Sequence, residues 1–516
     1  MSQTKESAID VVDKVIEKLP ESKLEFKAKP PQAGYEAVYG QRRRQSASRR
    51  RLGWCEDARR NNPQSHSLAA ATLIFASGGM NLVSSIGFGS QNNYRTHNQV
   101  SWFIAVIIGS CISTSLVEKV SKRIFNLVAS VFVIIGAIFY MTASESNSTI
   151  TSARYCDGIA FGLTLIPAIL AGSEQSVKRF RGLVLSVEQI GLAAGALVKM
   201  IYWDNWGDRK INLVHGSLGL IYGVLALIFT FTLTIESPVQ LLRKEYEDEA
   251  AVDALRQLQR PNIVTHETYA LLNEHKALLQ EDMNRESKNI SKGWIPMIKV
   301  TLFRCMVSMS ISFPLTFTFL LATSLSSRNG IPMSPYVYIL FRLIGVTFSL
   351  FFLDTLGRRI PSALALLFGG VSLFIVGWLA SSFWNTPYAY IQPAVFLLLV
   401  YQLLSGIMAP SSTCYLSEAY SVSVKPYFIL ASVIAENVLQ VIICLMVSNN
   451  SISNYACALG GMQVVYAIVY FFTMPETMQT TLREALKLFQ RIFVINISDD
   501  DDDDDDEERD ADGSEV

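Results

Sequence analysis

The sequence has little charge: 17% of its 516 residues are Asp, Glu, Lys or Arg, against about a quarter in ordinary soluble domains. Half of the residues are apolar and mean hydropathy is positive, which argues against a conventional water-surrounded globule. The seven cysteines (Cys55, Cys111, Cys156, Cys305, Cys414, Cys444, Cys457) form no CxxC and no metal-ligand spacing, and most lie inside apolar runs. They read as packing residues, and no metal is expected. A nucleophile–base arrangement and a glycine-rich phosphate loop are also missing, so neither an enzyme nor a cofactor is expected. The first 60 residues hold no apolar core followed by a small-residue cleavage site, so the first apolar span is expected to direct membrane insertion itself.

What the chain has in abundance is long apolar stretches. About twelve recur from Ser67 onward, each 18–25 residues or slightly longer, enough at ~1.5 Å per residue to cross a hydrocarbon core of about 30 Å. Six fall at about 67–90, 99–117, 124–143, 154–173, 183–203 and 213–235. Six more fall at about 298–325, 334–353, 361–382, 391–414, 426–447 and 455–474. Between the sets lies a charged stretch with helical periodicity at Val239–Leu258 and Glu267–Leu279. The expected organisation is a basic arm (1–65), a six-helix unit (66–235), a helical linker (236–297), a second six-helix unit (298–474) and an acidic tail (475–516).

The net charge of −1 hides a strong asymmetry. Arg42–Arg44 and Arg49–Arg51 make the arm basic, while Asp499–Glu508 is an unbroken acidic run expected to stay solvated. Cations gather in the arm, the second-to-third loop (Lys119, Lys122, Arg123), the fourth-to-fifth (Lys178, Arg179, Arg181), the linker and the eighth-to-ninth (Arg358, Arg359). All fall on one side if both termini are cytoplasmic. The opposite connections carry the glycosylation sequons at Asn147 and Asn449, and Trp102, Trp203, Trp206 and Trp384 sit where an interfacial aromatic belt is expected. The arm is expected to attract anionic inner-leaflet lipid, an attraction that phosphorylation of Ser46 would cut, and no nucleic acid. Sequons favour the plasma membrane.

An internal repeat runs through the spans. Asp354 lies 236 positions after Glu118, Glu418 lies 244 after Glu174, and Glu476 lies 240 after Glu236, each near the same turn of the pattern. Two parallel six-helix copies describe the major facilitator architecture: an all-α membrane protein of twelve helices in two pseudo-symmetric bundles, with a site at their interface. The acid–Arg elements at span ends suggest a gate on the cytoplasmic side, made of Glu118, Arg123, Glu174, Arg181, Asp354, Arg358, Arg359 and Glu418.

The chain resembles the sugar porters, the hexose-transporter branch of that superfamily, over roughly residues 65–485. The stretch from Arg154 to Gly195, RYCDGIAFGLTLIPAILAGSEQSVKRFRGLVLSVEQIGLAAG, carries the family's spacing of Arg, glycines, Pro, Ser-Glu, Arg-Gly and Gln-x-Gly, and Glu236-Ser237-Pro238, Gly357-Arg358-Arg359 and Pro475-Glu476-Thr477 add to it. The resemblance implies alternating-access transport of a small polar solute, a sugar first, by facilitated diffusion. Gln189 matches a sugar-contacting glutamine, and an amide that both donates and accepts suits a polyol. Thr316 stands where the family places an Asn, Thr413 where it places a Trp, and Asn81 is the first span's sole amide. Asn437 completes the expected substrate-binding set of Gln189, Thr316 and Thr413.

Ionisable residues within spans cost several kcal/mol unless paired or wetted. Asp157, Glu188, Arg342 and Glu436 are such residues, and the resemblance puts the last three near the cavity. An Arg342–Glu436 ion pair disturbed by substrate or a proton is one reading. Recognition of an anion by Arg342 is another, which would make the chain an organic-anion or other small-metabolite carrier. A non-transporting sugar sensor is the third alternative.

Overall fold

The computed structural model describes residues 54–491 and 493, apart from 89–95, 143–144, 206–207, 246–247, 285, 328–332, 382–386 and 447–451. The Arg triplets, Ser46, the acidic run, the sequon at Asn449, Trp206 and Trp384 lie outside the described residues. Within Ala58–Val516 the described elements are helical, with no strand among them.

The first half contributes α1 (Ala69–Ser85), α2 (Thr96–Leu116), α3 (Lys122–Thr142), α4 (Asn147–Gln175), α5 (Val187–Asn205) and α6 (Asp208–Thr232). The linker forms α7 (Pro238–Glu245), α8 (Asp248–Gln257) and α9 (His266–Asn284). The second half contributes α10 (Glu286–Met309), α11 (Phe313–Ser327), α12 (Tyr336–Phe352), α13 (Arg359–Ser381), α14 (Pro387–Glu418), α15 (Lys425–Met446) and α16 (Ile452–Thr473), and α17 (Leu482–Gln490) follows. Among the described residues nine helical stretches are long and apolar enough to cross a membrane. The helices α1 and α12 are apolar but have 17 residues each, and α5 is interrupted by Glu188 and Lys199. With these three the described helices are consistent with the twelve crossings expected.

One crossing differs from expectation. The seventh span breaks between α10 and α11 at Ser310-Ile311-Ser312. Pro314 supplies no N–H to continue the ladder and is tolerated in the first turn of a new helix.

The repeat is visible contact by contact. A Cβ on Gly109 would collide with the Ile159 carbonyl and one on Gly162 with that of Val106, which locks α2 against α4. In the second half Gly345 meets Leu403 O and Gly406 meets Arg342 O, locking α12 against α14. Gly345 is 236 positions after Gly109 and Gly406 is 244 after Gly162, the same offsets found in the loops. Small residues here allow the backbone approach that membrane helices need when lipid gives them no hydrophobic drive to associate.

The pair α3 and α6 and the matching pair α13 and α16 pack together and present exposed apolar side chains such as Val128, Ile228, Phe368, Phe374 and Val465, the faces that lipid covers. The halves meet through α2 against α15 and α5 against α12. These are spans two with eleven and five with eight, the arrangement a pseudo-twofold axis along the membrane normal produces.

Candidate functional site

A cavity of about 680 Å³, its mouth included, lies between the halves. Leu82, Trp102, Phe161 and Ile311 supply its apolar wall, and Gln189, Asn437 and Gln440 its amides, beside Glu188, Arg304, Arg342 and Glu436. Trp102 is buried here, so it faces the cavity and not an aromatic belt. Trp203 packs edge-on against Phe88, with ring centroids 5.1 Å apart.

The Arg342–Glu436 pair, one of the readings the sequence left open, does not form. Glu436 is taken by Arg304, whose Nε donates to its Oε2 at 2.6 Å. The same guanidinium donates from Nη1 to Glu188 Oε2 at 3.3 Å and from Nη2 to Glu188 Oε1. Thr413 Oγ1 donates to Glu188 Oε2 at 2.6 Å, and Arg304 also reaches Ser412 and Thr413 at 3.2 Å. One cation from α10 is therefore shared by an acid of α5 and an acid of α15. Its Coulombic and hydrogen-bond gains offset the cost of burying three charges. Sequence reasoning passed over Arg304, although a cation inside a drawn span was signal enough.

Arg342 is buried and lines the cavity, yet its Nη1 donates only to neutral groups: Ser310 Oγ at 2.9 Å, Ser405 Oγ at 3.0 Å and Gln402 Oε1 at 3.4 Å. Among the described residues no carboxylate lies within ion-pair distance of it. Of the expected binding set, Gln189 lines the cavity and donates to Glu188 Oε1 at 3.2 Å. Asn437 lines it too but spends its Nδ2 on Val433 O of its own helix at 2.8 Å. Thr316 is buried against Ser312 O at 3.0 Å, and neither it nor Thr413 lines the cavity.

Asp157 is turned away from the cavity into the first bundle. It accepts from Asn81 Nδ2 at 2.5 Å and Ser77 Oγ at 3.4 Å. Asn81 in turn accepts from Tyr140 OH at 2.7 Å and approaches His215 Nε2 at 3.4 Å, whose Nδ1 lies 3.2 Å from Lys199 Nζ. Arg154 donates to Ser101 Oγ at 3.2 Å and to Ser85 Oγ.

The side of the halves that carries the linker is closed by a second set of charges. Within the first half Lys122 pairs with Glu174, while Arg123 donates to Thr234 O at 2.6 Å. The equivalent pair in the second half is Arg358 with Glu418, at the same offsets of 236 and 244 positions. Across the seam Arg181 Nη1 reaches Glu418 Oε1 at 3.3 Å, and Lys425 Nζ reaches Ser173 Oγ at 3.5 Å. Asp354 accepts the Gly182 and Leu183 N–H groups at 3.1 and 3.0 Å. A Cβ on Gly182 would stand 2.6 Å from that carboxylate, which gives the Arg-Gly motif a physical reason. Burial pushes the Asp354 carboxyl up, against the pull of Arg358 and the two amides.

Two further elements hold this side. Glu476 accepts the Arg358 N–H at 2.9 Å and the Arg359 N–H at 2.9 Å, beside Gly357 at φ +94° with a Cβ position 2.5 Å from the acid. Arg359 itself donates to Phe471 O at 2.9 Å and lies over that ring. Glu118 stands apart, exposed and bonded to Arg243 of the linker at 2.9 Å.

Comparison with known proteins gives matches throughout this region. The family profile described as sugar (and other) transporter matches residues 56–489. A probable inositol transporter 2 of Arabidopsis thaliana is 25% identical over 52% of the chain and 48% of its own length. An MFS glucose transporter of Aspergillus flavus is 23% identical over 56% of the chain and 57% of its own length. The high-affinity glucose transporter ght5 of Schizosaccharomyces pombe is 23% identical over 53% and 51%. The chain spans about half the length of the curated relatives it matches. Among solved structures, the MFS proton:xylose symporter XylE bound to 6-bromo-6-deoxy-D-glucose superposes with a TM-score of 0.67 at 17% identity, covering 82% of this chain and 98% of that one. The fold is thus that of the major facilitators.

Proposed function

Because the chain belongs to the sugar (and other) transporter family, an integral multi-pass membrane family of carriers and not of enzymes, we propose that it moves a sugar or related polyol by alternating access. The observation that carries this reading is the amide-bearing cavity between two pseudo-symmetric bundles, closed on the linker side by the Arg181–Glu418 bridge. Gln189 and Gln440 offer directional partners to hydroxyls that have lost their water, and Trp102 and Phe161 cover apolar ring faces. Arg123, Glu174, Arg181, Asp354, Arg358, Arg359 and Glu418 act with Lys122 and Lys425 as the gate, and Glu118 ties it to the linker through Arg243. The seam contacts break when the halves rock, and the pairs inside each half keep each bundle rigid. Facilitated diffusion is the default, since the first span supplies Asn81 in place of an acid.

A second reading has its own observation. Arg342, a buried cation on the cavity wall bonded to hydroxyls and an amide, suits a carboxylate, so a sugar acid is the next substrate to try. The linker side is cytoplasmic in this proposal, because the short connections on that side carry the cations. Both termini then face the cytoplasm, the plasma membrane is the host membrane, and the basic arm meets anionic lipid. Uptake of labelled glucose, xylose, inositol and glucuronate into vesicles holding the purified protein tests the function. Saturable flux of any one supports a carrier; binding without flux of all four would leave a sensor.

A further inference from the structure

The polar groups on the wall of the central cavity are unevenly spent. Arg342 makes its hydrogen bonds to protein through Nη1. Its Nε and Nη2 have no partner among the described residues and are not enclosed, so a side chain that is otherwise buried turns two donors to the cavity it lines. These two nitrogens form one edge of the guanidinium, the edge that takes a carboxylate through two parallel bonds.

The amides on the same wall have the opposite sense. Gln189 Nε2 donates to the Glu188 carboxylate and Asn437 Nδ2 to Val433 O. Both partners are acceptors only, which fixes the orientation of each amide and leaves its oxygen over. Neither Gln189 Oε1 nor Asn437 Oδ1 has a donor among the described residues, and neither is enclosed. Glu436 precedes Asn437 in sequence and lines the cavity with it. Within its cluster it is the most accessible charge, with 12% of its side chain exposed against 5% for Arg304 and 2% for Glu188. Its Oε1 has only a long contact, 3.4 Å from Arg304 Nη2.

Charge follows the same division. Glu188 and Glu436 share the Arg304 guanidinium, so one negative charge is left over, while Arg342 carries a positive charge that no described carboxylate meets. An ammonium has three N–H donors and no acceptor, and Gln189, Asn437 and Glu436 offer it three acceptors, one of them an anion. A neutral sugar can hydrogen-bond to these groups but leaves both charges unanswered, and a sugar acid answers Arg342 alone. We propose that the cavity takes an amino sugar acid, with its ammonium on Gln189 Oε1, Asn437 Oδ1 and Glu436 and its carboxylate on the Nε and Nη2 edge of Arg342. This names the substrate class of the transport site and rests on the carrier reading above.

Equilibrium binding to the purified full-length protein in nanodiscs tests the class independently of flux, with labelled glucosaminate, the acid of glucosamine, as the probe. It is expected to bind about tenfold more tightly than gluconate, which lacks the ammonium, or glucosamine, which lacks the carboxylate. Arg342→Met should bring glucosaminate down to the affinity of glucosamine, and Asn437→Leu should bring it toward that of gluconate. The two variants read opposite ends of the ligand, so either one suffices if the other fails to fold. Equal affinity of the wild type for all three ligands, or a loss in Arg342→Met shared equally by glucosamine, would overturn the proposal. Uptake into vesicles is read separately. Glucose flux with no preference for glucosaminate in binding sinks the substrate class and keeps the carrier; preferential binding of glucosaminate without flux of any ligand keeps the class and sinks the carrier.

Discussion

Arg304 Nη1 lies 3.3 Å from Glu188 Oε2, which ties α10 of the second half to α5 of the first on the wall of the cavity. This bridge competes for the space and the charges that a substrate would use. Any rocking of the halves has to lengthen or break it, while the Arg304–Glu436 contact stays inside the second half.

Replacing Glu188 with Gln removes the charge that spans the seam but keeps the shape. Breaking a buried pair costs about 3–5 kcal/mol when one ion is left alone. Glu436 retains Arg304 here, so a smaller loss, about 2 kcal/mol, is expected in thermal unfolding. Flux should fall at least tenfold, with Glu188→Asp partly active. Wild-type flux in Glu188→Gln would remove the bridge from the transport cycle.

Arg342→Met is expected to leave unfolding temperature unchanged or raised, because an unpaired buried cation costs several kcal/mol to hold. Glucuronate flux should vanish while any neutral-sugar flux persists. Equal loss of both substrates would mean that Arg342 shapes the cavity without reading charge.

Glu418 receives Arg181 and Arg358 together. Glu418→Gln takes from Arg181 its carboxylate across the seam and leaves Arg358 with Asp354 at 3.6 Å, so the linker side should open more often. Modification of Cys414 by a soluble maleimide should then speed up about tenfold, with little change at exposed Cys111. An unchanged rate at Cys414 would argue that Glu418 has no part in closure.

His275 gives a pH dependence with a definite sign. Burial, helped by the nearby Arg181 charge and opposed by Glu174, lowers its imidazole from 6.5 to about 4. Above pH 6.5 the ring is neutral whether the linker is docked or unfolded, and its contribution is intact. Between 6.5 and 4 only the unfolded chain takes up the proton, so stability falls with falling pH by up to ~3 kcal/mol. Thermal unfolding at pH 7.5, 6.0 and 5.0 should show a slope that His275→Leu flattens; a parallel slope in the variant would assign the effect elsewhere.

Gly195→Leu should abolish assembly of the first bundle. A Cβ there would collide with the Ala76 carbonyl, so α1 and α5 could not approach. Loss of monodisperse protein in size-exclusion chromatography is the expected result.

By itself the sequence laid out the order of the apolar segments and their division into two repeated sets of six. Apolar length is dictated by the thickness of a bilayer, and the offsets of 236 and 244 positions repeat in contacts as distant as Gly109–Ile159 and Gly345–Leu403 because both halves pack by the same small-residue rule. The family resemblance implied that Glu188, Arg342 and Glu436 stand near the cavity, and all three line it, while Asp157, a charge in a span as well, turns into the first bundle. Which charges meet was decided only by the tertiary structure. Arg304 and Arg342 differ little as letters in an apolar run, but Arg304 projects between α5 and α15 and collects two acids, whereas Arg342 ends among Ser310, Gln402 and Ser405. That Glu174 meets Lys122 and not its neighbour Arg123 has the same origin. Neighbouring residues on a helix point about 100° apart, and an ion pair forms with the one whose direction, not whose type, brings it within reach.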